Sequence, residues 1–262
     1  MTERVALITG AGRGIGAALA QRLAGDGWRL VLVDSCADDP ALDYPLATRD
    51  DLDRTVTACG PQAAIGVVAD VRSVDDLRAA VDLATDRFGG VDALVAAAGI
   101  LRGGPPLWEV DEPAWQAQLD VNLGGVWNLA RAGVPALLRR PAPRSGRFVA
   151  IASAAALHGH ERLGAYSASK AAVLGLVRSL ATDLGRSGVT ANVVCPGSTR
   201  TSILDPSAAA YDLDDIEAFA DHQLVGRLLE PAEVAEAIAW LCSPASSAVT
   251  GAVWPVDGGM TA

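Results

Sequence analysis

The chain has 262 residues and a mass of 26.8 kDa, a size that suits one α/β unit with a continuous core. Half of its residues are hydrophobic and a fifth are charged, and no segment is biased enough in composition to read as disordered. A formal net charge of −10 speaks against nucleic acid as a partner. No apolar run reaches the ~20 residues that a membrane-inserted helix needs. Four scattered cysteines without a C-x-x-C pair argue against zinc and a redox dithiol, so no metal is expected.

The first apolar run, "VALIT", is followed by a helical pattern over 13–25. "RLVLVD" precedes a helix over 50–59, and "AAIGVVA" precedes one over 74–88. "DALVAAAG", "RFVAIAS" and "VTANVVC" continue the series, with helices near 112–139, 165–186 and 231–241, before a last strand "GAVWPV". Fully apolar strands alternating with helices predict a parallel sheet buried on both faces. The fold class is therefore α/β, a single Rossmann-type doubly wound sheet of about seven strands and one domain over 1–262. Two segments exceed this plan, an insertion over 35–49 and an excursion over 198–224. Both follow strands, at the sheet edge where ligands of such folds are covered. The N-terminus has no signal-peptide pattern, which predicts a cytoplasmic protein.

Between the first strand and helix stand Gly10, Gly12, Gly14 and Gly16. Glycines there allow a tight turn and let backbone N–H groups approach a pyrophosphate at the positive end of a helix. Asp34 closes the second strand eighteen residues after Gly16, near the ~20 expected of the carboxylate that binds the adenosine ribose. It would repel a 2′-phosphate, which predicts NAD over NADP. The alternative is a tight turn and a strand cap with no ligand.

Lys170 is the one lysine of the chain and lies four positions after Tyr166, one of three tyrosines. That spacing puts both on one helix face, where an ammonium is expected to lower the pKa of a phenol. Ser153 ends the fifth apolar run, thirteen residues before Tyr166, placed either to hold a substrate oxygen or simply to form a turn. His158 and His160 invite a metal reading, but no third ligand completes a site, and substrate contact or plain loop is the expectation. Trp108, Tyr211 and Phe219 lie in the long loops and are candidates for lining a pocket.

The segments "TGAGRGIG", Asp70–Val71, Asn122, Ser153, "Y-x-x-x-K", Pro196–Gly197 with Thr201, and "VTGAVWPVDGG" resemble the short-chain dehydrogenase/reductase family over essentially the whole chain. The resemblance implies that Tyr166 is the acid/base, that Lys170 lowers its pKa and binds the nicotinamide ribose, that Ser153 orients the reacting oxygen, and that Asn122 holds a water. It implies dinucleotide contacts at the glycine loop with Arg13 and Ile15, at Asp34, Asp70 and Val71, at Ala98 and Gly99, and at Pro196, Gly197, Thr199 and Thr201. Where the family usually reads N-N-A-G, this chain has Ala96, Ala97, Ala98 and Gly99, which puts the local cofactor geometry in question.

The insertion, with "YPLATRDDL", resembles that of the mycofactocin-associated subgroup, whose members are thought to hold NAD without exchange and to be reoxidised by mycofactocin. The resemblance thus implies an oxidoreductase passing a hydride between NAD and a secondary alcohol or ketone, with mycofactocin as a possible electron acceptor and a homotetramer as the assembly. The rival readings are an enzyme that exchanges NAD(H) freely and a dinucleotide-binding redox sensor without turnover.

Overall fold

The computed structural model describes residues 3–262. Seven strands form one parallel sheet: β1 (Val5–Thr9), β2 (Arg29–Asp34), β3 (Ala64–Val68), β4 (Ala93–Ala96), β5 (Arg147–Ile151), β6 (Thr190–Pro196) and β7 (Val253–Val256). Their order is β3-β2-β1-β4-β5-β6-β7, so the chain reverses direction across the sheet between β1 and β4. In such sheets the crevice at the carboxyl ends beside that reversal is the binding place.

The alternation of strand side chains divides the core into two layers. Val5 and Leu7 of β1 face a layer built with α3 (Val74–Phe88), α5 (Gly125–Arg139) and α6 (Gly164–Leu184). Ala6 and Ile8 face the opposite layer, filled from α1 (Gly14–Gly25), α2 (Arg49–Cys59) and α8 (Pro231–Cys242). Because both faces are covered, these strands carry apolar residues at every position rather than at alternate ones.

Three local features differ from the sequence expectations. The helical stretch expected over 112–139 is α4 (Glu112–Leu119) and α5 joined by a π-helical turn at Asp120–Gly124, which widens the helix where Asn122 sits. β5 ends at Ile151, so Ser153 lies two residues beyond the strand and caps a 3₁₀ turn at Ala154–Ala156. The excursion after β6 is not a plain loop, for it contains α7 (Leu204–Ala210) and a 3₁₀ segment, Ile216–His222. The 35–49 insertion has no regular structure until α2 starts at Arg49. There Thr48 and Asp51 form a reciprocal capping box that fixes where the insertion ends. Among the described residues no helix is long and apolar enough to cross a membrane.

Candidate active site

One cleft runs along the carboxyl ends of the strands. Of the sequence-derived candidates its wall contains Gly10, Arg13, Gly14, Ile15, Gly16, Asp34, Asp70, Val71, Ala98, Gly99, Ser153, Tyr166, Lys170, Pro196, Gly197, Thr199 and Thr201. Gly12 and Asn122 are not part of the wall and stand behind it.

At one end the β1–α1 turn brings the start of α1 to the cleft. No side chain caps this helix and no acid stands in its first turn, so its N–H groups and positive end remain available to an anion. Gly10 has φ +65°, and a side-chain carbon there would lie 2.6 Å from the Ala98 Cα, so only glycine lets this turn and the β4 loop approach each other. Asp34 accepts the Gly12 N–H through Oδ2 at 2.9 Å. Its Oδ1 meets only the Cys36 N–H at 3.5 Å and keeps capacity for a diol. The uncapped helix and this free carboxylate oxygen fit a dinucleotide bearing ribose hydroxyls. Thr9, at the end of β1, accepts the N–H groups of Ala97 and Ala98 at 3.2 and 3.4 Å, so the alanine-rich loop is held from β1.

Asp70 lies at this end too, but its carboxylate is bound by Arg72 at 2.6 Å. Burial pushes the Asp70 pKa up, and the bonds from Arg72 more than offset this and leave it below the ordinary value. Arg72 reaches on to Asp39 at 2.7 Å, a residue of the insertion only 7% exposed. Three further clasps hold the same segment. Arg13 donates to the Pro45 carbonyl at 3.0 Å, Arg102 to the Ala41 carbonyl at 2.7 Å, and the Leu101 N–H to the Tyr44 hydroxyl at 3.0 Å. The insertion is therefore a strap tied to both rims, with Ser35, Ala37, Asp38, Tyr44, Leu46 and Ala47 in the cleft wall. Sequence reading did not find Tyr44, Arg72 or Arg102. Their only signal was a tyrosine inside a polar insertion.

At the other end Tyr166 and Lys170 share a face of α6, 7% and 4% exposed. Lys170 Nζ donates to the Ile151 carbonyl at 3.0 Å and lies 5.8 Å from the centre of the Tyr166 ring. A carbon added at Gly99 would lie 3.0 Å from Nζ and 3.3 Å from Asn122 Oδ1, so glycine leaves the space into which both side chains project. Asn122 is wholly buried: Oδ1 accepts the Ile100 N–H, and Nδ2 donates to the Ile100 carbonyl, both at 2.9 Å. It also donates to Ser169 Oγ at 3.0 Å, and Ser169 donates to the Tyr166 carbonyl at 2.7 Å. The π turn thus ties the β4 loop to the first turns of α6.

The electrostatics correct one expectation. Burial pushes the Tyr166 phenol up and the Ser153 hydroxyl within hydrogen-bonding reach draws it part of the way back, leaving it at about 12. Burial also pushes the Lys170 ammonium down, to about 8. Desolvation of the phenolate, rather than the neighbouring amine that sequence spacing had suggested would dominate, sets the direction of the shift. Ser153 Oγ accepts the Ala155 N–H at 3.1 Å within a turn, the plainer of its two expected roles, and its hydroxyl also reaches the phenol.

The loop after β6 closes the cleft. Thr199 donates to the Gly197 carbonyl at 3.0 Å and Thr201 to the Thr199 carbonyl at 3.3 Å, which stiffens the turn beside the start of α1. Beyond it Leu101, Leu163 and Tyr166 pack with Ala210, Ile203 and Tyr211 as an apolar wall.

Residues 10–261 match the family model described as Enoyl-(Acyl carrier protein) reductase. The chain is 40% identical to cis-4-hydroxycyclohexanecarboxylate dehydrogenase of Sinomonas cyclohexanicum, over 99% of this chain and 97% of that protein. It is 35% identical to (-)-trans-carveol dehydrogenase of Rhodococcus erythropolis, over 98% and 97%. Among solved structures, carveol dehydrogenase of Mycobacterium avium in complex with NAD superposes with a TM-score of 0.92 at 31% identity, covering 98% of this chain and 97% of that one. With its parallel sheet, glycine turn and Tyr166–Lys170 pair, the chain belongs to the short-chain dehydrogenase/reductase family.

Proposed function

We propose that this protein is an NAD-dependent dehydrogenase of a cyclic secondary alcohol, working in reverse as a ketone reductase. The observation that carries the reading is one cleft with an anion-receptive helix start and a diol-binding carboxylate at one end, and Ser153, Tyr166 and Lys170 at the other. The relatives named for hydroxycyclohexanecarboxylate and carveol, both ring alcohols, support the substrate class.

NAD, when bound, supplies the hydride acceptor. The chain supplies proton handling and orientation. Ser153 holds the alcohol oxygen, and Tyr166 takes its proton as the carbon–hydrogen bond breaks, leaving a carbonyl. A phenol pushed up to about 12 is protonated at neutral pH, the form that donates a proton to a ketone. Oxidation needs the phenolate, so it gains rate as pH rises. Lys170 Nζ and Asn122 Oδ1 both project toward the space over Gly99, an arrangement that supports a proton relay through one bridging water.

The strap supports the finer reading that NAD is held without exchange and reoxidised in place by mycofactocin. Four clasps hold the strap along the cleft and must open before a dinucleotide leaves. A homotetramer is supported by Trp240 of α8 and Trp254 of β7, which meet edge to face at 5.2 Å and remain 39% and 37% exposed. The test is to dialyse the purified protein exhaustively, denature it and assay the supernatant for nicotinamide, then to supply cyclohexanols with an artificial electron acceptor. Stoichiometric nicotinamide and turnover without added NAD are expected. An empty protein that needs added NAD would overturn the non-exchanging reading, and no ring-alcohol oxidation under either condition would overturn the dehydrogenase.

A further inference from the structure

The chain has three histidines, His158, His160 and His222, and the fold gathers all of them at the substrate end of the cleft. His160 and His222 line the wall, and the His158 ring lies 4.4 Å from that of His160. His222 reaches this place from the excursion after β6, at the end of an aromatic series. Its ring is 5.9 Å from Phe219, which is 6.0 Å from Tyr211, and Tyr211 packs on the cluster that contains Tyr166. The lining between is mostly apolar, with Leu101, Leu163, Ile203 and Phe219 beside the hydroxyls of Ser202, Ser207 and Tyr211. From Tyr166 this lining leads to the part of the wall where His160 and His222 stand.

Nothing in the wall neutralises those imidazoles. The carboxylates that line the cleft, Asp34, Asp38, Asp39 and Asp70, stand at the dinucleotide end. Glu161 and Asp221, the chain neighbours of His160 and His222, are exposed and outside the wall. Arg162 is engaged by Asp212 at 2.7 Å, and the Tyr211 hydroxyl donates to the Glu161 carbonyl at 2.7 Å. Among the described residues no group of three ligands is placed to hold a metal ion. Burial, and after it the neighbouring His158 and His222, push the His160 pKa down.

We infer that the substrate carries a carboxylate remote from its reacting hydroxyl, and that His160 and His222 are the residues that select it. The inference rests on the dehydrogenase reading and adds to it the charge of the substrate and the residues that recognise it. A carboxylate is held best by protonated imidazole, so affinity is greatest at low pH and fades as pH rises.

The experiment compares 4-hydroxycyclohexanecarboxylate with its uncharged amide, in the wild type and in His160→Gln, His222→Gln and the double variant. The acid is expected to be preferred in kcat/KM, through KM, and increasingly so from pH 8 to pH 5.5. The double variant is expected to lower the acid-to-amide preference by about tenfold, the scale of a charge-assisted hydrogen bond at a half-exposed site, and to flatten its pH dependence. A preference unchanged by the double variant, or a wild type indifferent to the charge, overturns the inference while leaving the dehydrogenase intact. Should neither compound turn over, calorimetric titration of cyclohexanecarboxylate into the holoprotein decides. Binding that weakens with pH and is lost in the double variant upholds the inference, and no binding overturns it.

Discussion

Tyr44→Phe tests the strap directly. The Tyr44 hydroxyl accepts the Leu101 N–H at 3.0 Å, and Leu101 is 3% exposed, so the phenylalanine variant leaves a buried donor without a partner whenever the strap is closed. When the strap is open, water satisfies that donor. The change therefore acts on the closing equilibrium and costs closure about 1–3 kcal/mol, the desolvation penalty of one unmet buried donor. If opening precedes release, NADH departs roughly 5- to 150-fold faster by the same conversion. The assay is stopped-flow fluorescence of NADH leaving the loaded protein into a competing scavenger dehydrogenase, alongside the nicotinamide retained after dialysis. Arg102→Ala, which removes the bond to Ala41, should act in the same direction. Release rates equal to wild type in both variants, with unchanged thermal stability, would refute the strap as the barrier to exchange.

Tyr166→Phe should lower kcat by about 10²–10⁴-fold, the range of a lost general acid–base, while bound nicotinamide stays stoichiometric. Ser153→Ala removes the one neighbour that draws the phenol pKa down, so the rising limb of kcat for alcohol oxidation should move to higher pH. Lys170→Met should abolish efficient turnover and yet raise thermal stability at pH 7. Burial lowers the Lys170 pKa from 10.5 to about 8, so below pH 8 the folded protein carries a desolvated ammonium, at a cost of up to about 3 kcal/mol. The folded lysine releases its proton between pH 8 and 10.5 while the unfolded one retains it, so the wild type should gain stability across that window and the variant should not. Differential scanning calorimetry against pH checks both signs.

What the sequence disclosed and what it withheld divide along the range of the interactions. The glycine turn, Asp34 and the Tyr166–Lys170 spacing are local patterns whose meaning follows from helix and strand geometry, and all of them meet in the cleft. The apolar strand runs appear in the sheet with at most small changes at their ends. The strap's contacts were illegible because they join distant positions: Tyr44 to Leu101 across 57 residues, Arg72 to Asp39 across 33. His222 joins His160 only through the folding of the 198–224 excursion, whose internal helices no strong periodicity announced. The direction of the Tyr166 pKa was misjudged because a neighbour's charge is visible in sequence and the depth of burial is not.

The solitary lysine also governs how the protein can be handled. Reagents that acylate side-chain amines, and supports that capture proteins through them, have one such target in this sequence, and it is 4% exposed at the base of the cleft. Labelling of lysine side chains therefore leaves the surface untouched. Any adduct that does form on Lys170 records a moment when the cleft stood open.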